Sequence, residues 1–83
     1  MNHFADVLQV LDSVLGLRGR SATFRPDTPL LGAVPELDSM AVVALVTALE
    51  SRFAIQIGDD DLDAATFATA GSLCAMLSQK MPA

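Results

Sequence analysis

The chain contains no tryptophan and no tyrosine, and phenylalanine alone supplies its aromatic content of 5%. Hydrophobic residues nevertheless make up 52% of the 83 residues, so the core has to be built from aliphatic side chains. A chain of this length suits one small domain, and we expect a single domain over residues 1–83. Such a domain has little room for a catalytic pocket with bound substrate, which favours binding or carrying over catalysis.

Basic residues are also scarce. Five Lys and Arg stand against ten Asp and Glu, which gives a formal net charge of -5. Nucleic-acid binding depends on cationic side chains that displace counterions from phosphates, so we expect no nucleic-acid partner. The single cysteine, Cys74, excludes an internal disulfide and is most simply interpreted as a small buried hydrophobe.

Long uncharged apolar runs are missing as well. No stretch reaches the roughly 18 residues that a membrane-spanning helix needs. The opening segment MNHFADVLQVLDSVLGLRGR has no basic start and carries Asp6 and Asp12 within its apolar pattern, unlike a signal peptide. We therefore expect a soluble, cytoplasmic and monomeric protein without a membrane span.

Apolar residues at helical spacing predict three main helices. The first begins near Phe4 and ends near Gly16, the second runs from about Ser39 to Phe53, and the last begins near Thr69 and is followed by Pro82. One short helical turn, capped by Asp59, is expected before the last helix. The predicted fold class is all-α: a small bundle of three main helices plus one short helix.

A long loop, from Arg18 to Leu37, separates the first two main helices. Three prolines interrupt any regular pattern there. Loops of about twenty residues in compact domains tend to be functional or tied down by their own side chains. The expected tethers are Phe24, Leu30, Leu31 and Val34.

The second helix has two different faces. Apolar residues on one side are expected to meet the core: Val42, Leu45, Val46, Leu49 and Phe53. The other side is unusually apolar for a surface helix and carries Met40, Val43, Ala44, Thr47 and Ser51.

Asp38 and Ser39 stand directly before this helical run. The simplest interpretation is that one of them caps the helix, although no Glu or Gln completes a capping box. A hydrolytic serine would need a base, and the only histidine is His3, near the chain start. A third interpretation is that the Ser39 hydroxyl holds a phosphodiester, since helix N-termini favour anions.

An acidic cluster follows the second helix. It consists of Asp59, Asp60, Asp61 and Asp63, without the glycine and distal glutamate of a calcium loop. We expect a solvated acidic surface rather than a metal site.

The segments LDSMAVVALVTALESRF, IQIGDDDL and TFATAGSLCAML, behind an amphipathic helix and a long loop, resemble the acyl carrier protein family. The resemblance implies a covalent 4'-phosphopantetheine on Ser39, with Asp38 as the motif acid that assists magnesium-dependent transfer from coenzyme A. Glu36 replaces a frequent glycine, and Ala41 and Ala44 replace acids usual in fatty-acid-synthesis carriers. These departures argue against a housekeeping role in fatty acid synthesis. The run LLGAVPELDSM is most similar to free-standing carriers associated with exosortase and exopolysaccharide gene sets.

The resemblance implies a non-enzymatic carrier that delivers acyl or aminoacyl thioesters to partner enzymes. The expected partners are a phosphopantetheinyl transferase, an acyl-loading enzyme, and an acyltransferase or synthase. The expected contact surface beside Ser39 consists of Met40, Val43, Ala44 and, toward its far end, Glu50. The alternative is a small helical protein-interaction module that uses the same apolar face and carries no prosthetic group.

Overall fold

Three α-helices form the fold in the computed structural model, which describes residues 3–81. They are α1 (Phe4–Leu15), α2 (Ser39–Phe53) and α3 (Ala70–Lys80). Two short 3-10 turns, Arg20–Thr23 and Asp59–Asp61, lie in the connections, and residues 3–81 form no strand. The all-α prediction with three main helices, one short helix and a long loop is confirmed, and the first 3-10 turn is an addition to it.

The core is mainly aliphatic, as the composition predicts, although Phe67 is buried in it as well. It joins side chains from all three helices and from the loop. The largest fully buried side chains are Val7, Leu11, Leu17, Leu30, Leu45, Leu49, Leu73 and Leu77. Cys74 is half-buried at the edge of this core, and burial raises the pKa of its thiol. Removal of this apolar surface from water is the main stabilising contribution.

The loop before α2 is held by some of its expected tethers. Leu30 and Val34 are buried and Phe24 is half-buried, but Leu31 is 44% exposed, so the prediction for Leu31 is wrong. The backbone explains the difference. The N–H of Leu30 donates to the carbonyl of Ala68 at 2.9 Å and that of Leu31 to Phe67 at 3.0 Å. The chain enters a turn at Leu31, directly after the bridge between Pro29 and Thr69, and this turn leaves the Leu31 side chain at the surface.

Helix α3 begins in a reciprocal cap. The Thr69 hydroxyl accepts the N–H of Ser72 at 3.0 Å, and the Ser72 hydroxyl accepts the N–H of Thr69 at 3.0 Å. Two donors that a helix start normally leaves unpaired are thereby satisfied. The predicted start near Thr69 is confirmed, with Thr69 as the capping residue.

The loop supplies acceptors for the next two donors of α3. The N–H of Ala70 donates to Thr28 O at 3.0 Å, and the N–H of Gly71 donates to Pro26 O at 2.7 Å. A Cβ atom on residue 71 would lie 2.6 Å from that same Pro26 oxygen. Glycine is therefore required by the close backbone approach between the loop and α3.

The second 3-10 turn differs from its prediction at the cap. Asp59 is the first residue of the turn, and Gly58 occupies the capping position. The carboxylate of Asp61 reaches back to the N–H of Gly58 at 3.1 Å and pairs with Lys80 at 2.7 Å. These contacts hold the pKa of Asp61 below its ordinary range, and the contact with Lys80 has the larger effect. Pro82, expected after the last helix, lies outside the described residues.

Candidate functional site

The start of α2 places the aspartate and the serine in separate roles. Asp38 has an extended backbone (φ -104°, ψ -176°), and its Oδ1 accepts the N–H of Ala41 at 2.8 Å. Asp38 is therefore the N-cap. Ser39 is the first helical residue, its side chain is exposed, and it does not cap the helix.

Several polar groups at this helix start have no partner within residues 3–81. Neither the N–H of Ser39 nor that of Met40 has an acceptor there, and nothing hydrogen-bonds to the Ser39 hydroxyl. Helix N-termini carry a partial positive charge, and their free N–H groups bind anionic oxygens. The site therefore fits a phosphate ester on the Ser39 oxygen: the hydroxyl is accessible, and the donors beside it are free.

An uncharged surface runs along α2 from this point. We call Met40, Val43, Ala44, Thr47 and Ser51 the outer strip. All five residues are exposed, Met40 by 79% and Val43 by 65%. Val43 and Ala44 both lie three or four residues from Met40 and from Thr47, and Ser51 lies four residues after Thr47, so the five share one side of the helix. The prediction that this face points outward is confirmed.

The opposite face of α2 meets the core as predicted. Leu45 and Leu49 are completely buried. Val42, Val46 and Phe53 are half-buried and pack against the core cluster.

Glu50 has a structural contact that its position on the helix does not reveal. It is half-buried, and its Oε2 accepts the backbone N–H of Ile57 at 2.8 Å. This bond holds the chain after α2 against the helix end. Its role in partner contact stays a prediction.

Ion pairing fixes the segment that leads into Asp38. The carboxylate of Glu36 accepts a hydrogen bond from the guanidinium of Arg20 in the first 3-10 turn. The pKa of Glu36 lies below its ordinary range. The largest cause is a hydrogen bond from its own backbone N–H, followed by the hydrogen bond from Arg20. Glu36, which stands in place of a glycine frequent in the family, thus pairs with Arg20 in this chain.

Asp12 of α1 holds the first 3-10 turn in place. Its carboxylate accepts the N–H of Gly19 at 3.0 Å, the N–H of Ser21 at 3.2 Å and the hydroxyl of Ser21 at 2.8 Å. The Ser21 hydroxyl, followed by the N–H of Gly19, holds the pKa of Asp12 below its ordinary range. No local sequence pattern predicts this contact, because the position of Asp12 in α1 is typical of a surface residue.

A hydrolytic role for Ser39 is excluded by the position of the histidine. The ring of His3 lies edge-on to Phe53, with 6.1 Å between ring centroids. Phe53 is the last residue of α2 and Ser39 the first, and a helix of 15 residues separates its ends by about 21 Å.

Two residues of the acidic cluster make side-chain contacts. Asp61 is half-buried and pairs with Lys80, and Asp63 is exposed and accepts the N–H of Thr66 at 2.8 Å, while Asp59 and Asp60 are exposed. Within residues 3–81, no three His, Cys, Asp or Glu side chains are arranged to hold a metal ion. None of the helices in that range is both long and apolar enough to cross a membrane.

Comparison with known proteins agrees with this geometry. Residues 5–77 match the family described as "Phosphopantetheine attachment site". The solution NMR structure of a holo acyl carrier protein from Nitrosomonas europaea is similar to this chain with a TM-score of 0.85. The two are 46% identical over 95% of this chain and 94% of that one. No curated protein is similar enough to extend the comparison.

The fold and the matched site define a carrier of covalent 4'-phosphopantetheine rather than an enzyme. The chain belongs to the acyl carrier protein family. Such carriers work with a phosphopantetheinyl transferase and with enzymes that handle acyl groups. The family match argues against the alternative of an interaction module without a prosthetic group. The narrower resemblance to exopolysaccharide-associated carriers stays a prediction.

Proposed function

We propose that Ser39 is the residue that carries the 4'-phosphopantetheine group and that Asp38 is the acid needed for its attachment. The observation that carries this proposal is the exposed Ser39 hydroxyl beside the free N–H groups of Ser39 and Met40. When bound, the group supplies a thiol that forms thioesters with acyl or aminoacyl intermediates. Tethering raises the effective concentration of such an intermediate at each partner's active site.

Incubation of the unmodified protein with coenzyme A, magnesium and a broad-specificity phosphopantetheinyl transferase tests the proposal. Intact-mass analysis should show the addition of one phosphopantetheine. Ser39→Ala should abolish the gain, while Ser51→Ala, which changes an exposed serine on the same helix, should leave it intact. An unchanged mass in the wild type, with a control carrier modified in parallel, would contradict the proposal.

Variants of Asp38 separate capping from attachment. Asparagine is as good an N-cap as aspartate, so Asp38→Asn should keep the free energy of unfolding within a few tenths of a kcal/mol. Its loading by the transferase should nevertheless fall sharply, because the carboxylate is lost. Normal loading of Asp38→Asn would show that Asp38 serves only as the helix cap.

We further propose that the loading enzyme and the acyltransferase or synthase contact Met40, Val43 and Ala44 next to Ser39. These side chains are exposed and uncharged, and burial against a partner removes apolar surface from water. Glu50 lies at the far end of this surface, is half-buried, and already uses one carboxylate oxygen to accept the N–H of Ile57.

Partner loading should therefore be more sensitive to Val43→Asp than to Glu50→Lys. Val43→Thr, which keeps the shape without a charge, is the control, and thermal unfolding of each variant identifies any loss of fold. The loading rate should change only modestly with salt, because screening acts on exposed charges. A steep loss of rate with salt, together with a larger defect in Glu50→Lys, would show electrostatic recognition instead.

A further inference from the structure

The contact between Arg20 and Glu36 lies close to the attachment motif in sequence and structure. Glu36 is two residues before Asp38, and its backbone carbonyl accepts the N–H of Asp38 at 3.1 Å. Leu37, between them, is buried. A displacement of residue 36 is therefore transmitted directly to the residue that caps α2.

Arg20 is itself anchored rather than free at the surface. Its backbone N–H and its Nε both donate to the carbonyl of Leu17 at 3.1 Å, and Leu17 is 1% exposed. The turn that contains Arg20 is held to α1 through Asp12. A continuous series of contacts thus runs from α1 through Arg20 and Glu36 to the start of α2.

Exposed ion pairs contribute little to stability, and this pair is partly exposed on both sides. Its geometric effect is different, because turn hydrogen bonds and the buried Leu37, rather than a helix or a strand, hold the segment before Asp38. We propose that the Arg20–Glu36 pair is a positioning contact that holds the segment before Asp38 and Ser39 in the conformation that the phosphopantetheinyl transferase binds. This inference rests on the proposed attachment at Ser39.

The effect should appear in KM rather than in kcat. If the binding-competent conformation is only partly populated, the apparent affinity falls by that fraction, while the bound complex reacts as before. Arg20→Glu and Glu36→Arg should each raise the transferase KM for the carrier at least about fivefold. Glu36→Gln, which keeps the shape of the side chain, should give a smaller increase.

The double variant Arg20→Glu with Glu36→Arg restores an ion pair of opposite sense. It should bring KM back to within about twofold of wild type, because substitutions at two residues in contact are coupled and their separate effects do not add. Arg25→Glu is the matched control, since it changes an exposed loop arginine by the same charge. It should leave KM unchanged, and thermal unfolding should be similar for all variants.

The experiment is a time course of transferase loading at several carrier concentrations, followed by intact mass. Recovery in the double variant with no effect of Arg25→Glu supports the positioning contact. Wild-type KM in both single reversals, no recovery in the double variant, or an equal increase from Arg25→Glu overturns it. Failure of the wild type to load at all would instead contradict attachment itself, and with it this inference.

Discussion

Helices α2 and α3 begin alike in sequence and differently in structure. Each starts behind a polar residue whose side-chain oxygen accepts the third helical N–H, Asp38 in α2 and Thr69 in α3. The first two N–H groups of α3 donate to loop carbonyls, whereas those of Ser39 and Met40 have no acceptor within residues 3–81. The start of α3 is closed by the protein's own chain, and the start of α2 is open.

Under the proposed attachment at Ser39, a capping residue before a helix serves two purposes in this chain. A capping residue stabilises a helix wherever it occurs. The distinct feature at α2 is that the Ser39 hydroxyl and the N–H groups of Ser39 and Met40 have no partner within residues 3–81, which fits the proposed attachment of a phosphate there. The loop that closes α3 is the same loop that leads into the open start of α2. Substitutions that disturb the packing of this loop should therefore change the free energy of unfolding.

The largest effect is expected where the loop enters the core. Leu30 is completely buried, so Leu30→Ala should cost about 2–5 kcal/mol of unfolding free energy. Leu31→Ala, at the next residue, should cost less than about 0.5 kcal/mol, because that side chain is substantially exposed. Denaturant unfolding of the pair checks both values, and similar costs would contradict the observed orientation of the segment.

The next effect compares the second residue of each helix. Gly71→Ala places a methyl group 2.6 Å from Pro26 O and should destabilise the protein by about 1–3 kcal/mol. Met40→Ala, at the same position in α2, should change stability by less than about 0.5 kcal/mol, because its side chain is 79% exposed. If both variants unfold at the same denaturant concentration, the contrast between a closed and an open start fails.

The smallest effect on stability is expected at the first 3-10 turn, whose start is hydrogen-bonded to the carboxylate of Asp12. Since folding lowers the pKa of Asp12, its stabilising contribution is complete above the ordinary value of about 3.9 and is lost as pH falls through the folded pKa. Asp12→Asn should therefore be less stable than the wild type at neutral pH. The difference should narrow below about pH 4. A difference independent of pH would mean that the Asp12 charge has no part in the contact.

Sequence patterns were sufficient for the helices and for the carrier family. The spacing of apolar residues located α2 from Ser39 to Phe53, and the Asp-Ser pair in that frame indicated the family that residues 5–77 match. Attachment at Ser39 stays a prediction. Those patterns do not predict contacts between segments that are distant in the sequence. Leu30 and Leu31 are equally apolar, and only the turn that the folded chain makes at Leu31 shows which one is buried. The need for glycine at 71 likewise depends on Pro26, which is remote in sequence.

The most direct test of the open start of α2 is to locate the prosthetic group in protein purified from its native host. Intact mass gives the combined mass of the arm and its cargo, and fragmentation of proteolytic peptides identifies the modified residue. We expect the phosphopantetheine to map to Ser39 alone. An arm on any other residue, or unmodified protein beside fully modified control carriers from the same cells, would contradict the account.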